Sequence, residues 1–76
     1  MNATRRTALR RAIGFLDRAK ELIDNAQEEE QDALDNMPES LEGTDRYSKM
    51  EDAVDFLEDA SSSITDAIES VEQAMA

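Results

Sequence analysis

The chain has 76 residues, no cysteine, no histidine, one proline, two glycines and 36% charged residues, so disulfides and the usual zinc patterns are excluded and long helices are favoured over a β-rich fold. A chain this short buries too little apolar surface to stand securely alone, and self-association is the simplest remaining support. The formal charge of −11 is divided: residues 1–20 carry six Arg and Lys against Asp17 alone, and residues 21–76 carry eighteen acids against Arg46 and Lys49, an acidic bulk that argues against direct DNA binding.

The opening segment, MNATRRTALRRAIGFL, is arginine-rich and free of acids, features shared with transit peptides and membrane-surface helices. Its apolar run AIGFL is too short for a signal-peptide core and stops at Asp17, and nowhere does the chain approach the roughly 18 apolar residues of a membrane span. The expectation is a soluble protein of the cytoplasm with no membrane partner.

The first helix is expected over about 4–36. Leu9, Ile13, Leu16, Lys20, Ile23, Gln27, Glu30, Leu34 and Met37 are spaced alternately by four and three residues, which is a heptad seam. Ala8, Ala12, Ala19, Ala26 and Ala33 form a stripe of small residues beside it, flanked by Phe15 and Leu22. Asn2 or Thr4 can supply the N-cap, and Pro38 disfavours helix in the residue before it.

Residues 37–44 hold Pro38 and Gly43 between two long periodic segments, which is what a tight connection between helices requires. A short connection makes the helices antiparallel neighbours. The second helix, expected over 45–75, begins at Thr44 or Ser48, and Ser48 followed by Glu51 fits a capping box. Its seam runs Tyr47, Met50, Val54, Leu57, Ser61, Ile64, Ile68, Val71 and Met75, with Ala53, Ala60, Ala67 and Ala74 alongside.

The two helices repeat each other. AIGFLDRAKELIDNA at 12–26 aligns with AVDFLEDASSSITDA at 53–67 at an offset of 41, pairing Phe15 with Phe56 and Lys20 with Ser61. The fold expected is therefore all-α, one domain over residues 1–76: an antiparallel, coiled-coil-like two-helix hairpin about 45 Å long at the helical rise of about 1.5 Å per residue. A lone hairpin leaves Phe15, Leu22 and Phe56 wet, so a homo-oligomer is expected, as a four-helix bundle or a larger helical assembly.

Two polar features stand out. Lys20 and Ser61 interrupt the two seams and fall level across a hairpin whose turn centres near residue 40, forming a polar layer that sets register, with the lysine ammonium reaching toward acids. Arg5, Arg6, Arg10 and Arg11 sit where the helix macrodipole is already positive. Asp66, Glu69 and Glu72 at the end of the second helix offer one compensation. Convergence of arginines from several protomers on phosphate, the guanidinium fork matching it bidentately, is the other, and it makes a nucleotide the natural ligand.

The acids of residues 28–30 with Asp32 and Asp35 give a solvated face or a mimic of nucleic-acid charge. Glu-x-x-His elements for a di-metal bundle and calcium-loop spacings are both missing, so no metal is expected. Without His, Cys, a glycine-rich phosphate loop or room for a walled pocket, the chain reads as a non-enzyme with no cofactor.

Residues 28–60, with Asp-Asn-Met-Pro-Glu-Ser-Leu at Asp35–Leu41 and Met-Glu-Asp-Ala at Met50–Ala53, resemble a family of small acidic proteins encoded by bacteriophages and mobile elements of Gram-positive bacteria. The resemblance extends over nearly the whole chain, which departs from the family pattern in its arginine-rich first turns. It implies a helical hairpin acting in the cytoplasm of a host cell. In that setting the expected function is antagonism of host defence, by sequestering a nucleotide second messenger or by binding a host effector protein. The alternatives are a structural assembly module and an acidic nucleic-acid mimic that blocks a basic host protein.

Overall fold

The computed structural model describes all 76 residues and contains two long helices and no strand: α1 (Ala3–Asp35), a 3₁₀ turn (Glu39–Leu41) and α2 (Asp45–Met75). The helices run antiparallel along each other as a rod of 59 × 15 × 13 Å. That is longer than the hairpin expected from sequence: the 33 residues of α1 alone span about 50 Å at about 1.5 Å per residue, and residues outside the helices add to it. Its radius of gyration is 17.3 Å, against about 11 Å for a compact chain of the same length.

Local chemistry sets the ends. Asn2 caps α1, its Oδ1 accepting the Arg5 backbone N–H at 2.8 Å, so an amide that no helical carbonyl can serve is satisfied. At the other end the Asn36 side chain donates to the Asp32 carbonyl at 2.8 Å. Pro38 then leads into the 3₁₀ turn, closed by the Leu41 N–H on the Pro38 carbonyl. Gly43 follows with φ +82°, a left-handed conformation that disfavours any residue with a Cβ. The chain thereby presents Thr44 as the cap of α2: its Oγ1 accepts the Tyr47 N–H at 3.2 Å and donates to the Leu41 carbonyl at 2.7 Å. This corrects the capping box read at Ser48 and Glu51. Ser48 lies inside the first turn, its N–H already bonded to the Thr44 carbonyl.

Both seams meet along the hairpin axis, yet only Val54 and Ser61 are buried. Leu9, Ile13, Leu16 and Ile23 of α1 and Leu57, Ile64, Ile68 and Val71 of α2 are half-buried. Two helices shield one stripe of each other and no more, so a hairpin has a seam rather than a core.

Heptad lettering resolves the rest of the surface into two sides. In an antiparallel pair the partner's wheel runs in the opposite sense, so position g of one helix lies beside g of the other, and c lies outside it. On α1 these positions are Ala12, Phe15, Ala19, Leu22 and Ala26; on α2 they are Ala53, Phe56, Ala60, Ser63 and Ala67. They form one side of the rod, on which Phe15, Leu22 and Phe56 are 65%, 53% and 71% exposed. The opposite side, from positions e and b, carries Asp17, Glu21, Asp24 and Glu28 of α1 with Glu51, Asp55, Glu58, Glu69 and Glu72 of α2. One side is apolar and small, and the other is acidic.

Candidate functional site

The polar layer forms midway along the rod, and it contains a third residue. Ser61, buried on α2, donates its hydroxyl to Asp24 Oδ1 at 2.5 Å, while Lys20 Nζ donates to Asp24 Oδ2 at 2.9 Å. Lys20 and Ser61 are thus joined through one carboxylate and do not pair directly. Helical side chains lean toward the N-terminus of their own helix, so Asp24, one turn nearer the connection than Lys20, reaches back to the level of Ser61. The lysine finds its acid at i+4 on its own helix, a favourable spacing. Two hydrogen bonds, first from Lys20 and then from Ser61, hold the Asp24 carboxyl below the usual aspartate range against an opposing effect of desolvation. The charge is needed because both neighbours are donors.

Asp24 was not singled out in the sequence, since it occupies no seam position and is one of nineteen acids. The signal that could have found it is the i,i+4 relation to Lys20, the cation placed inside a seam.

The arginine cluster lies at one tip of the rod, where α1 begins and α2 ends. The rod contains two ion pairs, Arg18 with Glu21 at 3.2 Å and Lys20 with Asp24. Arg5, Arg6, Arg10 and Arg11 make none, so the expected compensation by Asp66, Glu69 and Glu72 does not form as ion pairs. At about 100° per residue only Arg6 falls on the seam; Arg5 and Arg10 flank it on opposite sides, and Arg11 points away from α2. Arg6 is half-buried, and its Nε is shut off from solvent with no acceptor. Arg11 stacks over the Phe15 ring, 5.7 Å from its centroid, a cation–π arrangement.

One protomer therefore gathers four guanidinium groups at one end without aiming them at a single point. Arg6 and Arg10, four apart, are neighbours on the helix surface. The surface has one depression, lined by Gln27, Glu28, Gln31 and Asp32, all on successive turns of α1. No helix is long and apolar enough to cross a membrane.

No protein-family model, curated protein or solved structure matches the chain.

Proposed function

We propose that this protein is a non-enzymatic binding protein whose arginine-bearing end takes a phosphate-bearing ligand, a nucleotide signal being the class that fits the phage or mobile-element setting suggested by the resemblance of residues 28–60. In that setting its action is sequestration, which lowers the free concentration of a host-defence messenger by mass action alone.

One observation carries the reading. In a chain of net charge −11, the four arginines of one tip have no carboxylate within ion-pair distance, and the Nε donor of Arg6 has no acceptor. Nineteen acids are present, and Arg46 and Lys49 near the connection are also without an ion pair; what sets the tip apart is that four unpaired guanidinium groups gather there, available to an external anion. Thermal denaturation against cyclic and linear nucleotides tests the reading. A nucleotide that raises the melting temperature of the native chain, and fails to do so after Arg5, Arg6, Arg10 and Arg11 are all changed to glutamine, is the expected result. No shift with any nucleotide at millimolar concentration overturns it.

A structural assembly module is the second reading, supported by the exposed Phe15, Leu22 and Phe56. It is favoured if the glutamine variant changes the mass of the assembly while nucleotides have no effect.

A further inference from the structure

The apolar side of the rod is the largest feature that the arginine end does not use, and we infer that a second copy of this chain covers it, with the two hairpins pointing the same way and α1 of each packed on α2 of the other.

Area argues for a second copy. The hairpin exposes 5621 Å², whereas a compact monomer of 8.5 kDa exposes about 4,650 Å². The excess, roughly 970 Å², is close to the ~800 Å² that each partner contributes to a standard interface. Composition argues for the same side. From Ala8 to Ala26 on α1, and from Ala53 to Ala74 on α2, positions c and g carry no acid at all, although the chain has nineteen. The alanines of position g admit a close approach of helix axes, and the three large side chains stand out to be received. The opposite side, lined with carboxylates, repels its own copy.

Charge selects the orientation. Position f borders the apolar side on its outer edge. On α1 it holds Arg11 and Arg18; on α2 it holds Asp52, Asp59 and Asp66. With both hairpins pointing the same way, α1 faces α2 of the partner and Arg18 comes level, within a turn, with Asp66 of the other copy. The opposing contribution, Asp32 near Asp52, is confined to the connection end. With the hairpins pointing opposite ways, α1 faces α1 and α2 faces α2. Arg18 then meets Arg18, and the row of Asp59 and Asp66 meets itself. Neighbouring helices are antiparallel in both arrangements, so helix dipoles do not decide between them and the border charges do.

One consequence concerns the arginines. The same-way arrangement puts both arginine ends at one end of the four-helix bundle, each between the negative C-terminal ends of two α2 helices. A phosphate site there would be completed by the second copy. The dimer itself stands independently of that binding reading.

The chain has no cysteine, so Ser40→Cys in the exposed 3₁₀ turn gives a single spin-label position. Light scattering and dipolar electron resonance on the labelled protein give its mass and the label separation. The expected mass is twice the 8.5 kDa of the chain, and the expected separation is under about 30 Å, since packed helix axes lie only ~8–10 Å apart. A helical species of 8.5 kDa at tens of micromolar overturns the inference, as does a separation near the 59 Å length of the rod. The border pair gives a second test. Arg18→Asp and Asp66→Arg should each weaken the dimer roughly tenfold, two symmetry-related pairs being lost at once, and the double variant should regain most of that loss. Lack of rescue overturns the orientation.

Discussion

Replacing Ser61 with alanine isolates the polar layer. The hydroxyl donates to a charged acceptor at 2.5 Å from a buried position, and hydrogen bonds to charged groups contribute about 1.5–3 kcal/mol. Here the lower part of that range applies, because the Asp24 side chain is 40% exposed and keeps both water and Lys20. Alanine also has the higher helix propensity, which returns roughly 0.5 kcal/mol. The net loss is about 1 kcal/mol, a fall in melting temperature of about 4–8 °C for a domain of this size. Ser62→Ala is the control, one residue along on α2, exposed and with no side-chain bond to lose, so it should gain the propensity difference alone. Both variants must be melted at one protein concentration, since the melting temperature of a self-associating chain depends on concentration. If Ser61→Ala is as stable as Ser62→Ala, the layer contributes nothing and the reasoning fails. The pH dependence follows from Asp24. Its pKa is lowered on folding, so its contribution is fully present above the unfolded aspartate value of about 3.9 and is lost as pH falls through the lower folded value. The gap between the two variants should narrow in that acid range.

Tyr47 is the one tyrosine of a chain without tryptophan, so its ionisation can be followed by absorbance without interference. Desolvation first, then the charges of Glu42, Glu51 and Asp35, push its pKa up, and the titration midpoint should lie above the ordinary tyrosine value of about 10; a midpoint at or below that value counts against the partial burial of its ring. Because the folded pKa is the higher one, the associated stability is complete below the unfolded pKa and declines as pH rises through the folded one. The two glycines should respond with opposite signs in thermal melts, since an added Cβ meets nothing within 4 Å at either site and only the backbone differs. Gly43→Ala, at φ +82°, should lose about 1 kcal/mol, whereas Gly14→Ala inside α1 should gain roughly 0.5–1 kcal/mol.

The fold was legible because seam positions repeat over both helices and the only proline and second glycine fall between them. The repeat offset of 41 already implied two like helices on either side of a short connection. What was not legible depended on direction around or along a helix rather than on spacing. Asp24 reads as an ordinary surface acid until the lean of its side chain brings it level with Ser61. Ser48 and Glu51 have the spacing of a capping box, but the left-handed Gly43 turns the chain into helix at Thr44, four residues sooner. The arginines appeared to face the acids of α2 because both lie at the same tip, and tip position says nothing about azimuth. Only Arg6 sits on the stripe that α2 covers; Arg5 and Arg10 flank it on opposite sides and Arg11 points away. The acid-free side was present in the sequence as alanines and phenylalanines, yet its extent emerged only when the antiparallel sense of α2 placed its g and c positions beside those of α1.

The two sides also determine where assembly stops. An apolar side that covers its own copy forms a closed, two-fold pair, because the same surface is used on both partners. What the pair leaves outward are the two acidic sides, each with Asp17, Glu21 and Glu28 of α1 and Asp55, Glu58 and Glu69 of α2 among its carboxylates. Like-charged surfaces of that density do not stack at neutral pH, so addition of further hairpins to the pair proposed above is opposed. In that proposed pair the acidic sides face outward, the apolar sides face each other and the arginine-bearing tips lie at an end of the bundle rather than along its flank.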